Sequence, residues 1–331
     1  VDDLCRRDFT INAMAYNDKR GLVDEFEGIK DLKDGIIRCV GDAGQRFDED
    51  ALRMLRAVRF AGQLGFEIEE ETRNAIVQRA DRLENISAER IRVELTKLLV
   101  AKEAGRLRDA YSTGMTRYFL PELDKAMVTE QKNPHHVYTV GEHSIHGIEI
   151  MNCFFEVTSD RKMYDKVPEE VMITAKKIAK KMNKKQHTIL CMAMLLHDIA
   201  KPVVMTIDGD GTGHFYGHPQ ESEKMAKKIM RRLTFDNESI SKVCRLVKFH
   251  DYRIEDSSKA FRRAVSKIGA DIMDMLFLVE YADVLSQSDK MLEEKLSKIN
   301  SGVERFEYIT QNAQPLSIKE LALTGADLIA A

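Results

Sequence analysis

The hydrophobic period of this chain changes once, close to Phe47, and that change limits the possible folds more than any other feature. Before it, short apolar runs suit strands. "INAMAYN" (11–17) and "GLVDEF" (21–26) flank Asp18-Lys19-Arg20-Gly21, a polar loop ending in Gly that suits a hairpin, and "IIRCVG" (36–41) reads as a third short strand. After it, apolar residues recur every three to four positions. In "EDALRMLRAVRFAGQLGF", Ala51, Leu55, Val58 and Ala61 line one helical face. "SAERIRVELTKLLV" places Ser87 at an N-cap position, with Arg90 rather than Glu three residues on. Pro121 and "KNPHH" (132–136) mark a boundary, and "DGDGTGHFYGHP" (208–219) reads as a long Gly-rich loop between helices. The fold class expected is mostly α, with a few short strands confined to the start.

Composition narrows the function. The 331 residues are 44% apolar and 32% charged, an ordinary globular balance with room for two or three domains. A net charge of −3 excludes a globally basic nucleic-acid binder but leaves room for a local basic face. No apolar run approaches the roughly 20 residues of a membrane span, and no signal peptide is evident. The five cysteines are scattered without a C-x-x-C pair, as expected of reduced thiols in a cytoplasmic protein.

Two early clusters carry chemistry. Arg6 and Arg7 adjoin Asp8, with Thr10 and Asn12 following. Paired guanidinium forks suit a triphosphate or phosphodiester, and the Asp, Thr and Asn suit a ribose hydroxyl. An isolated RRD is more often a surface ion pair. The second cluster is Glu49-Asp50-x-x-Arg53, then Arg56 and Arg59. Asp50 and Arg53, three apart, are expected on one helical face. A carboxylate acceptor beside a guanidinium donor matches the exocyclic amine and unprotonated ring nitrogen of cytosine and adenine. Guanine and uracil offer the reverse polarity, so mispairing leaves buried polar groups unsatisfied. A plain i,i+3 ion pair is the bland alternative.

The run "DLCRRDFTINAMAY", "GLVDEFEGIKDLKDGIIRCVGD", "RFDEDALRMLRAVRFAGQLGF" and "ISAERIRVEL" resembles class II tRNA nucleotidyltransferases, the CCA-adding enzymes, and the related bacterial poly(A) polymerases, nearly continuously over residues 2–99. The resemblance implies that Arg6, Arg7, Asp8 and Thr10 sense nucleotide ribose and phosphates. It makes Asp50 and Arg53 a protein template selecting CTP and ATP, and gives Arg56 a role in placing the base or triphosphate. "NAMAY" leans towards the CCA-adding branch. The family also carries, upstream, a Gly-Ser turn and a D-x-D pair that hold Mg²⁺. Asp48-x-Asp50 and Asp208-x-Asp210 have that spacing, but neither follows a Gly-Ser turn. About a hundred residues are therefore expected to precede Val1 on domain-size grounds. Residues 1–331 alone are expected not to add nucleotides, a claim tested by incorporation of labelled CTP or ATP into tRNA ending before CCA.

Of nine histidines, several fall in an ordered series: His143, His197-Asp198, His218, His250 and then Asp283. "LLHDIAKP" closes an apolar stretch with the doublet, and the order resembles an HD domain. Imidazole with carboxylate suits Zn²⁺, Mn²⁺, Ni²⁺ or Fe²⁺ better than Ca²⁺. His143, His197, Asp198 and Asp283 would form one site, His218 and His250 would extend it to a second ion, and Lys201 would meet a phosphate. In the CCA-adding family such a domain is linked to phosphatase and 2′,3′-cyclic phosphodiesterase activity. His135, His136, His146, His187 and His214 read as structural or exposed by default.

Lys176, Lys177, Lys180, Lys181, Lys184 and Lys185, and separately Lys224, Lys227, Lys228, Arg231 and Arg232, form basic clusters at helical spacing. They are solvated faces or a tRNA-backbone surface. The layout expected is the end of an α/β nucleotidyltransferase head (1–46), a helical neck (47–125), an all-α HD domain (126–300) and a helical tail (301–331). The partners expected are tRNA, CTP and ATP, with no membrane and the oligomeric state open. Two alternatives stand beside nucleotide addition: a phosphohydrolase acting through the HD site, and a non-catalytic tRNA-binding module.

Overall fold

A computed structural model of the chain describes residues 3–19, 21–132, 137–158, 165, 167–254, 257–288 and 291–312. The tail segment "PLSIKELALTGADLIAA" and the pair His135-His136 lie outside them. Among the described residues the fold is helical, apart from three two-stranded sheets.

The first is the hairpin anticipated from sequence. Met14–Asn17 pairs antiparallel with Gly21–Asp24, Met14 opposite Asp24. The Asp24 carboxylate then accepts from the backbone of Gly28 and Ile29, starting the Gly28–Asp34 helix. Gly28 is required there, because a Cβ would sit 2.3 Å from the Thr10 carbonyl oxygen. The third expected strand shrinks to Ile36–Ile37, which pairs in parallel with Glu67–Ile68. That pairing ties the first 40 residues to the helices that follow.

The helix expected to run through Glu49-Asp50-x-x-Arg53 is broken. Ala43–Glu49, capped by Asp42, ends at Asp50, whose backbone is extended, and a new helix runs Leu52–Leu64. Asp50 and Arg53 therefore do not share a helical face by i,i+3 spacing. Ala88–Leu99 packs along Leu52–Leu64. Ser87 stands at the N-cap position, as expected, but its side chain makes no capping hydrogen bond.

Pro121–Val128 leads into Val140–Phe154, and the two helices lie in close contact: a Cβ on Gly141 would fall 2.7 Å from the Met127 backbone nitrogen. Lys184–Leu196 is the central rod. Asn183 and Gln186 start it with a reciprocal capping box, and Ile189–Leu196 are buried on every side. It packs against Ala88–Leu99, Val140–Phe154, Asn237–Phe249 and Ala270–Leu285. The stretch Lys184–Val204 is, by length and composition alone, apolar enough to cross a membrane, which corrects the expectation of no such run; 78% of its apolar window is buried inside the protein. The expected loop at 208–219 holds a small antiparallel sheet, Thr206–Ile207 with Gly213–His214, and its last residues begin the His218–Arg232 helix. One apolar core runs from Phe9 to Ile309.

Candidate metal centre and nucleotide-contact region

The six expected ligands converge. His143 projects from Val140–Phe154, His197 and Asp198 follow the end of the central rod, and His218 opens its helix. His250 caps Asn237–Phe249, and Asp283 lies on Ala270–Leu285. Each imidazole is turned by its far nitrogen. His197 Nδ1 donates to the Met194 carbonyl (2.8 Å), His250 Nδ1 to that of Val247 (2.7 Å) and His218 Nδ1 to that of Phe215 (2.9 Å), each three residues back. Those of Met194 and Val247 are carbonyls the helix end leaves without an amide partner. His143 Nδ1 donates to the Ser286 carbonyl, 3.2 Å away. A carbonyl only accepts, so the proton sits on Nδ1 and the Nε2 lone pair faces inward in all four rings.

Inward, the lone pairs crowd each other. His143 Nε2 lies 3.2 Å from His197 Nε2, and His218 Nε2 lies 3.3 Å from His250 Nε2. Asp198 stands between the pairs. Its Oδ2 is 3.2 Å from His197 and 3.6 Å from His143, and its Oδ1 is 3.2 Å from His218 and 3.6 Å from His250. Asp198 Oδ1 is buried with no hydrogen-bond donor. Asp283 Oδ1 completes the first pair at 2.9 Å from His143 and 3.5 Å from His197. Facing acceptors in a dry site repel unless a cation lies between them. The residues therefore fit divalent cations at two positions, one between His143, His197 and Asp198, with Asp283 beside them, and the other between Asp198, His218 and His250. Without a cation a proton takes that role: burial opposes charging His197, but Asp198 and Asp283 override it and raise its pKa to about 10.

Lys201 is placed differently from the expectation that it meets substrate. It is buried, 2.6 Å from Asp198 Oδ2, and donates to Gln131 Oε1 (2.8 Å), so its ammonium is committed within the centre. Sequence reasoning missed Gln131, Ser286 and Gln287. Gln131 carries no sequence signal. Ser286 and Gln287 sit three and four residues past Asp283, within reach of a helical neighbour rule: Gln287 Nε2 donates to Asp283 Oδ1 (3.1 Å) and Ser286 Oγ to the Asp283 carbonyl (2.8 Å).

The early motifs also meet. Arg56 clamps Asp8 through Nε (2.8 Å) and a terminal nitrogen (2.5 Å). Arg53 donates to the Arg6 carbonyl (3.0 Å) and to Glu49 (2.8 Å), while Asp50 accepts from Arg90 (2.7 Å). Arg90, seen in the sequence only as an imperfect cap, thus belongs to this network. Arg6 and Arg7 are exposed, with Arg7 paired to Asp3. Thr10 is buried and donates to Asp31 (2.7 Å). Neither D-x-D pair suits Mg²⁺: Asp48 is held by Arg79 and Arg82, Asp50 by Arg90, and Asp208 and Asp210 both close a turn on the Thr212 amide.

Of the first basic cluster, Lys176, Lys177, Lys181 and Lys185 are taken up in ion pairs with Glu156, Glu307, Asp274 and the Asp236–Glu238 pair. In the second, Lys224 pairs with Glu221 and Arg232 with Glu122, while Lys227, Lys228 and Arg231 are exposed. His187 is buried and His214 bonds Asp208, as a structural default implied.

Comparison with known proteins accords with this geometry. Residues 1–38 match the Poly A polymerase head domain, 65–127 the probable RNA and SrmB- binding site of polymerase A, and 168–291 the HD domain, a match that begins after His143. Named relatives include the CCA-adding enzyme of Leuconostoc mesenteroides subsp. mesenteroides, 48% identical over 120 residues (36% of this chain, 30% of the relative). That of Ligilactobacillus salivarius is 52% identical over 118 residues (35% and 29%). The matched stretch thus spans less than a third of either relative. The Bacillus stearothermophilus CCA-adding enzyme solved with CTP shares the fold with a TM-score of 0.58 at 22% identity, covering 99% of this chain and 64% of that one. The Thermotoga maritima CCA-adding enzyme complexed with tRNA does so at 0.52 and 21%, covering 100% and 64%. A head-domain match, an RNA-binding-site match and an HD match in this order, on a shared fold, make the chain similar to the class II CCA-adding enzyme and poly(A) polymerase family with an HD domain.

Proposed function

We propose that this chain carries the nucleotide-selecting region, neck and HD domain of a tRNA nucleotidyltransferase that adds C and A to tRNA 3′ ends from CTP and ATP without a nucleic-acid template. The layout 1–46, 47–125, 126–300 and 301–331 belongs to the same proposal. The observation that carries it is the joining of the Arg6–Asp8 motif to the start of the Leu52–Leu64 helix by the Arg53–Arg6 and Arg56–Asp8 contacts. This sets ribose- and phosphate-binding groups beside base-reading ones. To read a base, Arg53 exchanges Glu49 and Asp50 exchanges Arg90 for the base edge, so selection costs a protein contact for either base. The test is equilibrium binding of the four nucleoside triphosphates. CTP and ATP are expected to bind at least about tenfold more tightly than GTP and UTP, a preference lost in Arg53→Ala. Equal binding of all four sinks the reading.

A second activity is favoured by the inward-facing Nε2 atoms: metal-dependent hydrolysis of a phosphate ester at the HD centre. Bound divalent cations supply Lewis-acid activation of water and phosphate. The chain's own groups fix the four imidazoles in their ligating tautomer, bridge the two halves through Asp198 and neutralise that carboxylate with Lys201. Zn²⁺, Mn²⁺, Ni²⁺ and Fe²⁺ all suit this donor set. The measurement is phosphate release from a phosphomonoester by metal-loaded protein, expected to vanish in His197→Ala. Retained release in that variant overturns the assignment.

A further inference from the structure

The Leu52–Leu64 helix grips the opening motif at two successive residues. Arg56 clamps Asp8, and one turn later Phe60 meets Phe9 edge to face, with ring centroids 5.7 Å apart. Phe60 is half-buried, and two guanidinium groups lie against its ring, that of Arg59 at 3.6 Å from the centroid and that of Arg56 at 5.4 Å. Both are within reach of a cation–π attraction. Each cation also has its own carboxylate. Arg59 is buried against Glu94 (2.5 Å), with Gln63 on a second nitrogen (2.6 Å), and forms the fixed inner end of the stack. Glu94 stands on the Ala88–Leu99 helix, four residues from the Arg90 that holds Asp50. The series Glu94, Arg59, Phe60, Arg56, Asp8 thus ties the opening motif to the helix that also holds Asp50.

Arg56 ends this series with a nitrogen to spare. Asp8 takes its Nε and one terminal nitrogen, the other terminal nitrogen makes no hydrogen bond among the described residues, and 33% of the side chain is exposed. A guanidinium held at two nitrogens presents the third in one direction, which suits a phosphate oxygen. Asp8 alone does not fix that direction. Both of its contacts end on the same atom, Oδ2, so the guanidinium plane is free to pivot about it. The Phe60 ring removes this freedom.

We propose that Phe60 is a positioning residue for triphosphate binding: with Asp8, its ring holds Arg56 so that the spare nitrogen faces the phosphates. The proposal rests on the nucleotide-selecting reading above, and goes beyond it by assigning the group that orients the phosphate-side cation.

Two readouts test it on the full chain. One is the affinity for CTP and for GTP. The other is the Nε–Hε signal of Arg56 in proton–nitrogen NMR, assigned by its disappearance in Arg56→Lys. Phe60→Leu, and Phe60→Met should the first not fold, keep an apolar side chain without an aromatic face. Each is expected to weaken CTP and GTP by the same factor, about three- to tenfold, and to lose the Arg56 signal to solvent exchange. Phe60→Tyr, which keeps the face, is expected to retain both affinity and signal. An Arg56 signal that persists in Phe60→Leu overturns the proposal, as does an unchanged affinity for CTP. A collapsed preference for CTP over GTP in Phe60→Leu also overturns it, because general loosening of the fold reaches the base-reading residues too. Equal binding of CTP and GTP by the unaltered chain removes base selection, while weaker binding of both in Phe60→Leu, restored in Phe60→Tyr, still upholds the positioning role.

Discussion

At the scale of residues, one carboxylate holds the centre together. Among the described residues, Asp198 is the candidate ligand whose two oxygens face both imidazole pairs, so it is common to both possible cation positions. Asp198→Ala is expected to bring bound metal to near zero, whereas His218→Ala removes about half; metal analysis of dialysed protein reads the difference. A different buried imidazole gives a pH prediction. Burial lowers the His187 pKa to about 4, while its Nε2 donates to Asn152 Oδ1 (2.7 Å) and its ring stacks on Phe155. The unfolded chain therefore takes up the proton first. This contribution is complete above about pH 6.5 and is lost as pH falls towards 4, by up to about 3 kcal/mol. Chemical denaturation at pH 7 and pH 4.5 is expected to show the loss, and His187→Gln, which keeps a donor for Asn152, is expected to flatten it. The six converging candidate ligands were readable because their order and residue types survive in a linear string. Gln131 and Arg90 were not, since each acts through a partner 70 or 40 residues away.

At the scale of elements, helix junctions place the site. Pro121–Val128 and Val140–Phe154 approach so closely that Gly141 has no room for a side chain: an added Cβ meets Met127 Sδ at 2.6 Å and its backbone at 2.7–2.8 Å. Gly141→Ala is expected to cost about 1–3 kcal/mol by urea denaturation. Because His143 lies two residues on, it is also expected to weaken metal binding. The sequence marked Pro121 and the KNPHH stretch as a boundary before further helices, and carried no sign of this contact. Helical periodicity misjudged the break at Asp50, because the local apolar pattern continues through it. The break is held by contacts from elsewhere, namely Arg90 on Asp50 and Arg53 reaching back to Arg46 and Arg6.

At the scale of the molecule, the neck and the HD helices share one core. Ala88–Leu99 packs on the central rod, and Asn152 Nδ2 donates to the carbonyls of both Leu99 and Ala101 while its oxygen accepts from His187. Arg232 grips Glu122, and Arg92 reaches the Thr234 carbonyl. Thermal unfolding followed by near-ultraviolet tyrosine signal and by far-ultraviolet helix signal is therefore expected to give coincident transitions. Two separated transitions would show that neck and HD helices unfold as independent units. The amino-acid sequence by itself determined the helical class, the opening hairpin, the family resemblance and the six candidate ligand residues. Those follow from period, turn chemistry and residue type, which are properties of short stretches. Tertiary structure alone decided which nitrogen of each histidine faces inward, that Lys201 is consumed by Asp198, and that Asp50 and Arg53 sit on opposite sides of a helix break. Each of these depends on groups far apart in the chain being brought within hydrogen-bond distance, and no local pattern encodes such a meeting.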